Sequence, residues 1–347
     1  MFATSNKYTV FPKMKNIRII AISLGGLGDT ILFSPVLKAL TTFDPSAQIE
    51  LLVANRLARE VYSSVEKISR ITFIHFNKPS LLLKTLSLVL YLIKCRIRGG
   101  FDVGLLATGL NPRFGTLLKH LAGVRNIFYA PEYPAFATDF ECNLNFARRF
   151  DHNISRKDIF VPLTKNSEME AKRISEQNNL RWSEEEIIAI YPSTELIHRP
   201  RWNLLKLLRV LRQIKVEGFR GKFVVVGSAD EGRVWAILDK DKIADANLAG
   251  KLSILGSASF ISQCTLTIGN DGGLMHVAGA VGCPLVVIMT NTPLSYRPPG
   301  ENTIVIHSQY SCCDGLYPKR PNECTTAKCV EDITVDEVYK ACLEYLP

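Results

Sequence analysis

A glycine-containing turn near the start of the chain could bring backbone amides and a carboxylate against a ligand. The β-favouring run Ile17–Ser23 ends in Leu24-Gly25-Gly26-Leu27-Gly28, and Asp29 follows at the predicted start of a helix. Glycine allows close backbone approach, and helix N-termini favour anions. From spacing alone, Asp29 is more simply a helix cap, because acidic side chains stabilise the first turn of a helix.

A second turn combines the same features with a histidine. It reads IGNDGGLMH over residues 268–276 and joins a strand-like run to a helix-like one. The glycines and the helix N-terminus suit a diphosphate, and Asp271 and His276 add hydrogen-bonding groups at the same rim. The alternative is a capped helix with a packed histidine.

Two further turns carry groups that suit a nucleotide. Ser193 and Thr194 precede the stretch His198–Trp202, which contains two arginines. Hydroxyl and guanidinium groups together suit phosphate, because guanidinium makes charge-assisted, bidentate bonds. Glu231, which ends the turn Gly227–Glu231, could accept hydrogen bonds from ribose hydroxyls. Taken singly, each turn is equally consistent with solvated surface.

The first turn does not match the pattern of dinucleotide-binding proteins. Ile31 stands where that pattern needs a third small residue, and the second strand-like run ends in Val53-Ala54-Asn55, without the acid that would hold a ribose hydroxyl. A nicotinamide-dependent enzyme is therefore disfavoured.

Strand-like and helix-like segments alternate along the chain, which predicts an α/β fold with doubly wound parallel sheets. The strand signal fades between Phe136 and Arg181 and resumes at Ile187. We therefore predict two Rossmann-like domains facing across a cleft, residues 1–165 and 166–332, followed by a closing helix over 333–347. Ligands of such sheets bind outside the carboxyl ends of the strands, where all four turns would lie.

The composition indicates a folded cytoplasmic protein. Of the 347 residues, 47% are hydrophobic and 22% charged, which is enough to bury two cores. The N-terminal stretch MFATSNKYTVFPKMKN does not read as a secretory signal. The apolar segment Leu81–Ile93 is interrupted by Lys84 and is too short to span a bilayer. Five scattered cysteines fit a reducing compartment, where they would pack as small apolar side chains: Cys95, Cys142, Cys264, Cys283 and Cys342.

The net charge of +9 favours an anionic partner. Nucleic acid, an anionic membrane leaflet and a phosphorylated substrate all qualify by charge. We do not expect nucleic acid, because the chain has no recognised motif and no interleaving of basic and aromatic residues.

Together the motifs resemble those of glycosyltransferase family 9, the heptosyltransferases that extend the inner core of lipopolysaccharide. The stretch RIIAISLGGLGDTILFSPVLKAL, from Arg18, is similar to the opening of that family, and IGNDGGLMHVAGAVGCPLVVI, from Ile268, is similar to its second signature. The resemblance implies a GT-B fold and an inverting transfer that needs no metal and no cofactor. Heptose is the expected sugar, ADP-heptose the expected donor, and a lipopolysaccharide core or related anionic glycolipid the expected acceptor.

The same resemblance implies roles for individual residues. Asp29 would be the general base that takes the proton of the acceptor hydroxyl, and Gly26, Gly28 and Arg113 would lie on the acceptor side. Arg199 and Arg201 are alternatives for a single cation near the donor phosphates. The closing helix would pack back toward the N-terminal domain. The donor-binding residues would be Ser193, Thr194, Arg199, Arg201, Glu231, Asp271, Gly272, Gly273, Leu274 and His276.

Gly272 departs from the family pattern, which has Ser or Thr at this position. A hydroxyl that could bind phosphate is therefore missing, and a backbone amide would take its place. The identity of the sugar nucleotide is left open for this reason.

Two features lie outside these assignments. The C-terminal cysteines at 312, 313, 324 and 329 could hold zinc, although they lack two Cys-x-x-Cys knuckles. Arg96 and Arg98 follow the apolar segment and could rest on the anionic inner leaflet of the membrane, where a lipid-linked acceptor would lie. The apolar face of that segment is expected to pack on the sheet.

Two other functions fit the same turns. One is a sugar-nucleotide epimerase of the GT-B fold, and the other is a nucleotide-sugar-binding relative that has lost catalysis. The presence of Asp29 disfavours the second, because loss of the base would be the simplest way to inactivate the site.

Overall fold

The structure, a computed structural model, describes residues 16–44, 46–74, 81–130, 138–192, 201–231, 242–290, 292–309 and 328–346. The chain divides into two compact units, Met1–Phe160 and Val161–Pro347. Each unit is built on one parallel sheet with helices. No helix in the described ranges is long and apolar enough to cross a membrane.

The first unit contains a five-stranded sheet in the order β3-β2-β1-β4-β5. Its strands are β1 (Arg18–Ser23), β2 (Gln48–Val53), β3 (Ile68–Phe73), β4 (Phe101–Leu106) and β5 (Val124–Tyr129). Its helices are α1 (Leu27–Leu32), α2 (Ser34–Phe43), α3 (Arg56–Tyr62), α4 (Leu81–Ile97), α5 (Pro112–Leu117) and α6 (Asp139–Ala147), with one π-helical turn at Leu118–Ala122.

The central strand β1 is buried on both faces, as its continuous apolar run requires. On one face of the sheet, α4, α5 and the π-helix enclose a core that includes Leu92, Cys95 and Leu118. Helix α6 packs on α1 and α2. Leu32, Val36, Leu40 and Phe43 recur at helical spacing, which predicts a single helix after the Asp29 turn, but the structure has a break at Phe33. The reason is Pro35, which cannot donate a hydrogen bond within a continuous helix.

The second unit contains a six-stranded sheet in the order β11-β10-β9-β6-β7-β8. Its strands are β6 (Ile187–Tyr191), β7 (Lys222–Val225), β8 (Ala246–Asn247), β9 (Leu266–Asn270), β10 (Leu285–Met289) and β11 (Thr303–His307). Its helices are α7 (Lys165–Gln177), α8 (Leu204–Val216), α9 (Ile254–Ile261), α10 (Gly273–Ala280), α11 (Lys328–Glu331) and α12 (Val335–Leu343).

The last helix, α12, packs against α8, β10 and β11 of its own unit. Val338 and Cys342 of this helix are buried in the core of the second unit, beside Trp202. The capping box of Thr334 and Glu337 fixes the start of the helix. Its expected packing toward the N-terminal domain stays a prediction.

Strand order marks one place in each sheet where the chain reverses its direction of winding. In the first sheet that place lies between β1 and β4, and in the second it lies between β6 and β9. The loops that leave such strands diverge and open a crevice at the carboxyl edge of the sheet, where ligands of open α/β sheets bind. The turn with Asp29 follows β1, and the turn with Asp271 follows β9, so both turns border such a crevice.

Candidate functional site

The Asp29 turn is held by a short network of hydrogen bonds. The Gly26 amide donates to Asp29 Oδ2 at 2.5 Å, and the Thr30 hydroxyl donates to the Gly26 carbonyl at 3.2 Å. Thr30 Oγ1 also lies 3.0 Å from Ser23 Oγ, which ties the helix to the end of β1. Asp29 is thus fixed in direction while remaining partly exposed.

Glycine is needed at position 25 because a Cβ atom there would collide with the Asp29 carboxylate. Asp29 does cap its helix, through the amide of Gly26. The cap uses Oδ2 only, in the contacts described, so the geometry is compatible with a second role at Oδ1. The structure therefore shows Asp29 as a helix cap, and its role as a general base is a proposal.

Helix α6, which packs on the helix of the Asp29 turn, carries two buried polar side chains that sequence reasoning missed. Asp139 and Asn143 are one helical turn apart and are almost fully buried. Among the described residues, Asp139 Oδ2 and both amide atoms of Asn143 have no hydrogen-bond partner. Burial raises the pKa of Asp139 to about 6; a hydrogen bond with Thr108 lowers it, and the negative charge of Asp29 raises it further.

Asp139→Asn is expected to stabilise the protein above pH 6 and to have no effect near pH 4. A carboxyl group whose folded-state pKa is raised from 3.8 to about 6 opposes folding once it ionises. The loss of stability caused by this ionisation is absent below the unfolded-state pKa. It grows between the unfolded-state and folded-state pKa values and is complete above the folded-state pKa. We expect a gain of about 2 kcal/mol at pH 8, measured by urea unfolding.

Glu141→Gln is the matched control on the same helix. Glu141 forms an ion pair with Arg156, so its neutralisation should give no gain at pH 8. An equal gain in unfolding free energy for Asp139→Asn at pH 4 and pH 8 would contradict this prediction. It would show that ionisation of the Asp139 carboxyl does not destabilise the protein.

The other residues predicted on the acceptor side lie at the same edge of the first sheet. Gly26 is the N-cap residue of α1, and Gly28 lies in its first turn. Arg113 is exposed in the first turn of α5, which follows β4, and its amide donates to Asn111 Oδ1 at 2.8 Å. Their contact with an acceptor stays a prediction.

In the second unit, Asp271 and His276 lie side by side at the carboxyl end of β9. Both are buried, and His276 Nε2 lies 3.9 Å from Asp271 Oδ1. The Asp271 amide donates to the Ile288 carbonyl of β10 at 2.9 Å, which fixes the turn to the sheet. Gly272 and Gly273 are partly exposed at the start of α10.

Arg201 is brought to this turn by a residue that sequence reasoning did not single out, Asn270. Asn270 Oδ1 accepts from the Trp202 amide at 2.9 Å, and Nδ2 donates to the Pro192 carbonyl at 2.9 Å and the Trp202 carbonyl at 3.3 Å. Arg201 in turn donates through Nη1 to the Asp271 carbonyl at 2.5 Å. One buried amide therefore joins the segments that follow β6 and β9.

Trp202 anchors the segment that carries Arg201 to the core of the second unit. Its ring is buried in the core, and Nε1 donates to the Ile333 carbonyl at 2.9 Å. The indole thus links the Arg201 segment to the chain that precedes α12.

Glu231 is buried in the turn that follows β7. Its Oε2 accepts from the Ser228 amide at 2.7 Å and also contacts the Ser228 hydroxyl. Gly227 has φ of 131°, a backbone conformation that favours glycine, and its Cα faces the Glu231 side chain. The turn therefore holds the carboxylate in a defined position at the carboxyl edge of the sheet.

Three of the predicted donor residues, Ser193, Thr194 and Arg199, lie outside the described residues. Leu274 is buried in the first turn of α10. The five scattered cysteines are free and buried, as predicted. Cys329 is also buried, whereas Cys312, Cys313 and Cys324 lie outside the described ranges. Within those ranges, no group of His, Cys, Asp and Glu side chains could hold a metal ion.

Known proteins are similar to this chain in sequence and in fold. Lipooligosaccharide heptosyltransferase 2 of Haemophilus influenzae is 30% identical over 121 residues, which are 33% of this chain and 34% of that protein. The chain thus matches about a third of the length of this curated relative.

Two solved structures cover nearly the whole chain. A glycosyl transferase of family 9 from Veillonella parvula has a TM-score of 0.77 at 18% identity, with 96% of this chain and 98% of that chain covered. The ADP-heptose LPS heptosyltransferase II of E. coli has a TM-score of 0.66 at 19% identity, with 96% and 98% covered. These likenesses confirm the predicted α/β fold class of the GT-B type.

The family model of glycosyltransferase family 9 (heptosyltransferase) matches residues 150–326. This range is about half of the chain and contains Arg201, Glu231, Asp271 and His276. The Asp29 turn lies before it, on the first sheet. The chain belongs to glycosyltransferase family 9.

Proposed function

We propose that this protein transfers heptose from ADP-heptose to a lipopolysaccharide core or a related surface glycan, with inversion at the anomeric carbon. The observation that carries the proposal is the family match across the second unit, together with a fixed, partly exposed Asp29 at the carboxyl edge of the first sheet. The name of the E. coli neighbour, an ADP-heptose LPS heptosyltransferase, supports the choice of donor and acceptor class.

Asp29 acts as the general base in this proposal. The Gly26 amide holds Oδ2, and Oδ1 takes the proton of the acceptor hydroxyl as that oxygen attacks the anomeric carbon. The attack comes from the face opposite the leaving nucleoside diphosphate, so the configuration inverts. Gly26, Gly28 and Arg113 border the acceptor.

The donor binds to the second unit. The N-terminus of α10, with the amides of Gly272 and Gly273, faces the diphosphate, and Arg201 supplies a cation beside it. Glu231 accepts hydrogen bonds from the ribose hydroxyls. Asp271, Leu274 and His276 shape the same pocket, and Ser193, Thr194 and Arg199 belong to it by their sequence. The backbone amides and the Arg201 guanidinium take the place of a metal ion in stabilising the leaving diphosphate.

In this proposal the protein works at the cytoplasmic face of the inner membrane, because its acceptor, a lipopolysaccharide precursor, is an anionic glycolipid that would lie in the inner leaflet. Its net charge of +9 favours such an acceptor.

A donor panel tests the proposal. The protein is incubated with ADP-, GDP- and UDP-linked sugars and a deacylated core acceptor, with and without EDTA. We expect transfer from ADP-heptose at a rate at least about a hundredfold above the other donors, because a pocket built around one base rejects others by a few kcal/mol. EDTA should leave the rate unchanged.

Three outcomes would contradict the proposal. Tight nucleotide binding without transfer from any donor would indicate a relative without catalysis. A change in the sugar nucleotide itself, without any acceptor product, would indicate an epimerase. Loss of transfer with EDTA would show that a metal takes part.

A further inference from the structure

Helix α4 has two apolar faces, and the sheet covers only one of them. Leu88, Tyr91, Leu92 and Cys95 pack into the core of the first unit, as the sequence predicts for the apolar face. A second set of apolar residues on the same helix faces solvent. We name it the α4 stripe: Leu86, Leu90, Ile93 and Ile97, which are 50%, 51%, 39% and 79% exposed.

The α4 stripe is continuous along the helix. Its members are spaced by four, three and four residues, so at 3.6 residues per turn they fall within an arc of about 60°. Isolated exposed apolar residues are ordinary on a protein surface, but a row on one helix face marks a surface that contacts something apolar.

Basic side chains flank the stripe, and the surrounding sequence carries no acid. Lys94, Arg96 and Arg98 are exposed at the end of α4. The neighbouring π-helix adds exposed Lys119, and Arg96 Nη1 joins the two elements by donating to the His120 carbonyl at 2.9 Å. Neither residues 81–100 nor residues 107–125 contain Asp or Glu. The two segments that form the helical layer on this face of the sheet therefore carry basic side chains and no acidic ones.

We propose that the α4 stripe and its basic flanks dock the protein on an anionic lipid bilayer. A helix that lies in the plane of a membrane interface presents apolar residues to the acyl boundary and Lys or Arg to the headgroups, which is the pattern found here. A second copy of this chain is a poorer occupant, because a symmetric contact would bring two basic flanks together.

The direction of α4 connects this surface to the site. Helix α4 joins the parallel strands β3 and β4, so it runs antiparallel to them and begins at their carboxyl edge. The Asp29 turn lies at that same edge. A bilayer along the α4 stripe would therefore extend to the edge where we propose that the acceptor binds. The inference that this bilayer is the membrane holding the acceptor rests on the proposed function.

Flotation with lipid vesicles tests the docking surface in the full-length protein. We expect binding to vesicles of phosphatidylcholine with phosphatidylglycerol, and binding at least about tenfold weaker to phosphatidylcholine alone, because each basic residue near an anionic surface adds attraction. Raised salt should weaken the binding through screening.

Paired variants separate the apolar and the basic contributions. Leu90→Ser with Ile97→Ser removes half of the stripe, and Lys94→Glu with Arg98→Glu reverses two flanking charges. Each pair should weaken vesicle binding by about tenfold or more. The controls are Met169→Ser with Val216→Ser, and Lys172→Glu with Arg173→Glu, all at exposed positions of the second unit. They should change vesicle binding by less than about twofold on this account, since they lie outside the surface.

The result that would overturn the proposal is equal weakening by the control pairs, or absence of wild-type binding to anionic vesicles. A wild-type dimer that the stripe variants dissociate, seen by sedimentation, would assign the surface to a second copy instead. The stripe variants should keep the wild-type rate on a soluble, deacylated acceptor. A protein that binds vesicles but transfers no sugar would overturn the proposed function and leave the docking surface standing.

Discussion

Asp29→Asn is expected to lower kcat for sugar transfer by about a thousandfold while leaving ADP affinity within about twofold. The amide cannot take a proton from the acceptor hydroxyl, and the loss corresponds to about 4 kcal/mol in the activation barrier. The side-chain oxygen of asparagine can still accept from the Gly26 amide, so the cap of α1 remains. Steady-state kinetics and calorimetric titration with ADP measure the two quantities separately.

Asn55→Ala is the matched control for capping. Asn55 caps α3 through two backbone amides, those of Leu57 and Ala58, and is part of no proposed site. Its removal should cost about 1 kcal/mol of stability and leave transfer intact. If Asp29→Asn retains full activity, and Asp29→Ala loses only stability, Asp29 is a structural cap and the proposed mechanism is wrong.

Asn270→Ala is expected to destabilise the second unit by about 2–4 kcal/mol and to weaken nucleotide binding by at least about tenfold. The change leaves the Trp202 amide and the carbonyls of Pro192 and Trp202 without their buried partner. It also frees the segment that carries Arg201 to the turn of Asp271. Denaturant unfolding and ADP titration measure the two effects.

Asn247→Ala provides the comparison in the same unit. Asn247 Oδ1 accepts from a single amide, that of Ala249, at 3.0 Å. Its loss should cost about 1 kcal/mol and leave nucleotide affinity unchanged. Equal effects of the two variants on stability and on ADP binding would show that Asn270 does not position the donor site.

The sequence was sufficient to predict those strands whose apolar runs are continuous and bounded by turn residues, but it did not single out β5, β8 or β11. The run that resumes at Ile187 coincides with β6, and the strand-like run at the start of the Asp271 turn coincides with the end of β9. Local signals failed at Phe33, where helical spacing continues across Pro35 although the backbone cannot. They also failed on α4, because periodicity identifies apolar positions but does not say which of two apolar faces meets the sheet.

For the candidate site, sequence reasoning found residues within glycine-containing turns and missed residues whose partners are far along the chain. Asp29, Glu231 and Asp271 stand beside glycines that mark their turns. Asn270 was visible within the same motif, but its role depends on Pro192 and Trp202, which are 78 and 68 residues away. No short-range pattern links those positions, since only the pairing of β6 with β9 brings them together.

Asp139 and Asn143 were missed for a related reason. They read as ordinary polar positions in a short helix, and their burial results from the packing of α6 on α1 and α2. The raised pKa of Asp139 depends on that burial and, to a lesser extent, on Asp29, which lies far earlier in the chain. Neither contribution can be deduced from the neighbours of Asp139 in sequence.

The most direct test of the central claim is the fate of the sugar when the protein is mixed with ADP-heptose and a deacylated core acceptor. Mass spectrometry and NMR of the products give the mass gain of the acceptor and the configuration of the new linkage. We predict that the acceptor gains one heptose, that ADP appears in equal amount, and that the anomeric configuration is inverted. Release of ADP without a gain in acceptor mass, or a product with retained configuration, would contradict the account.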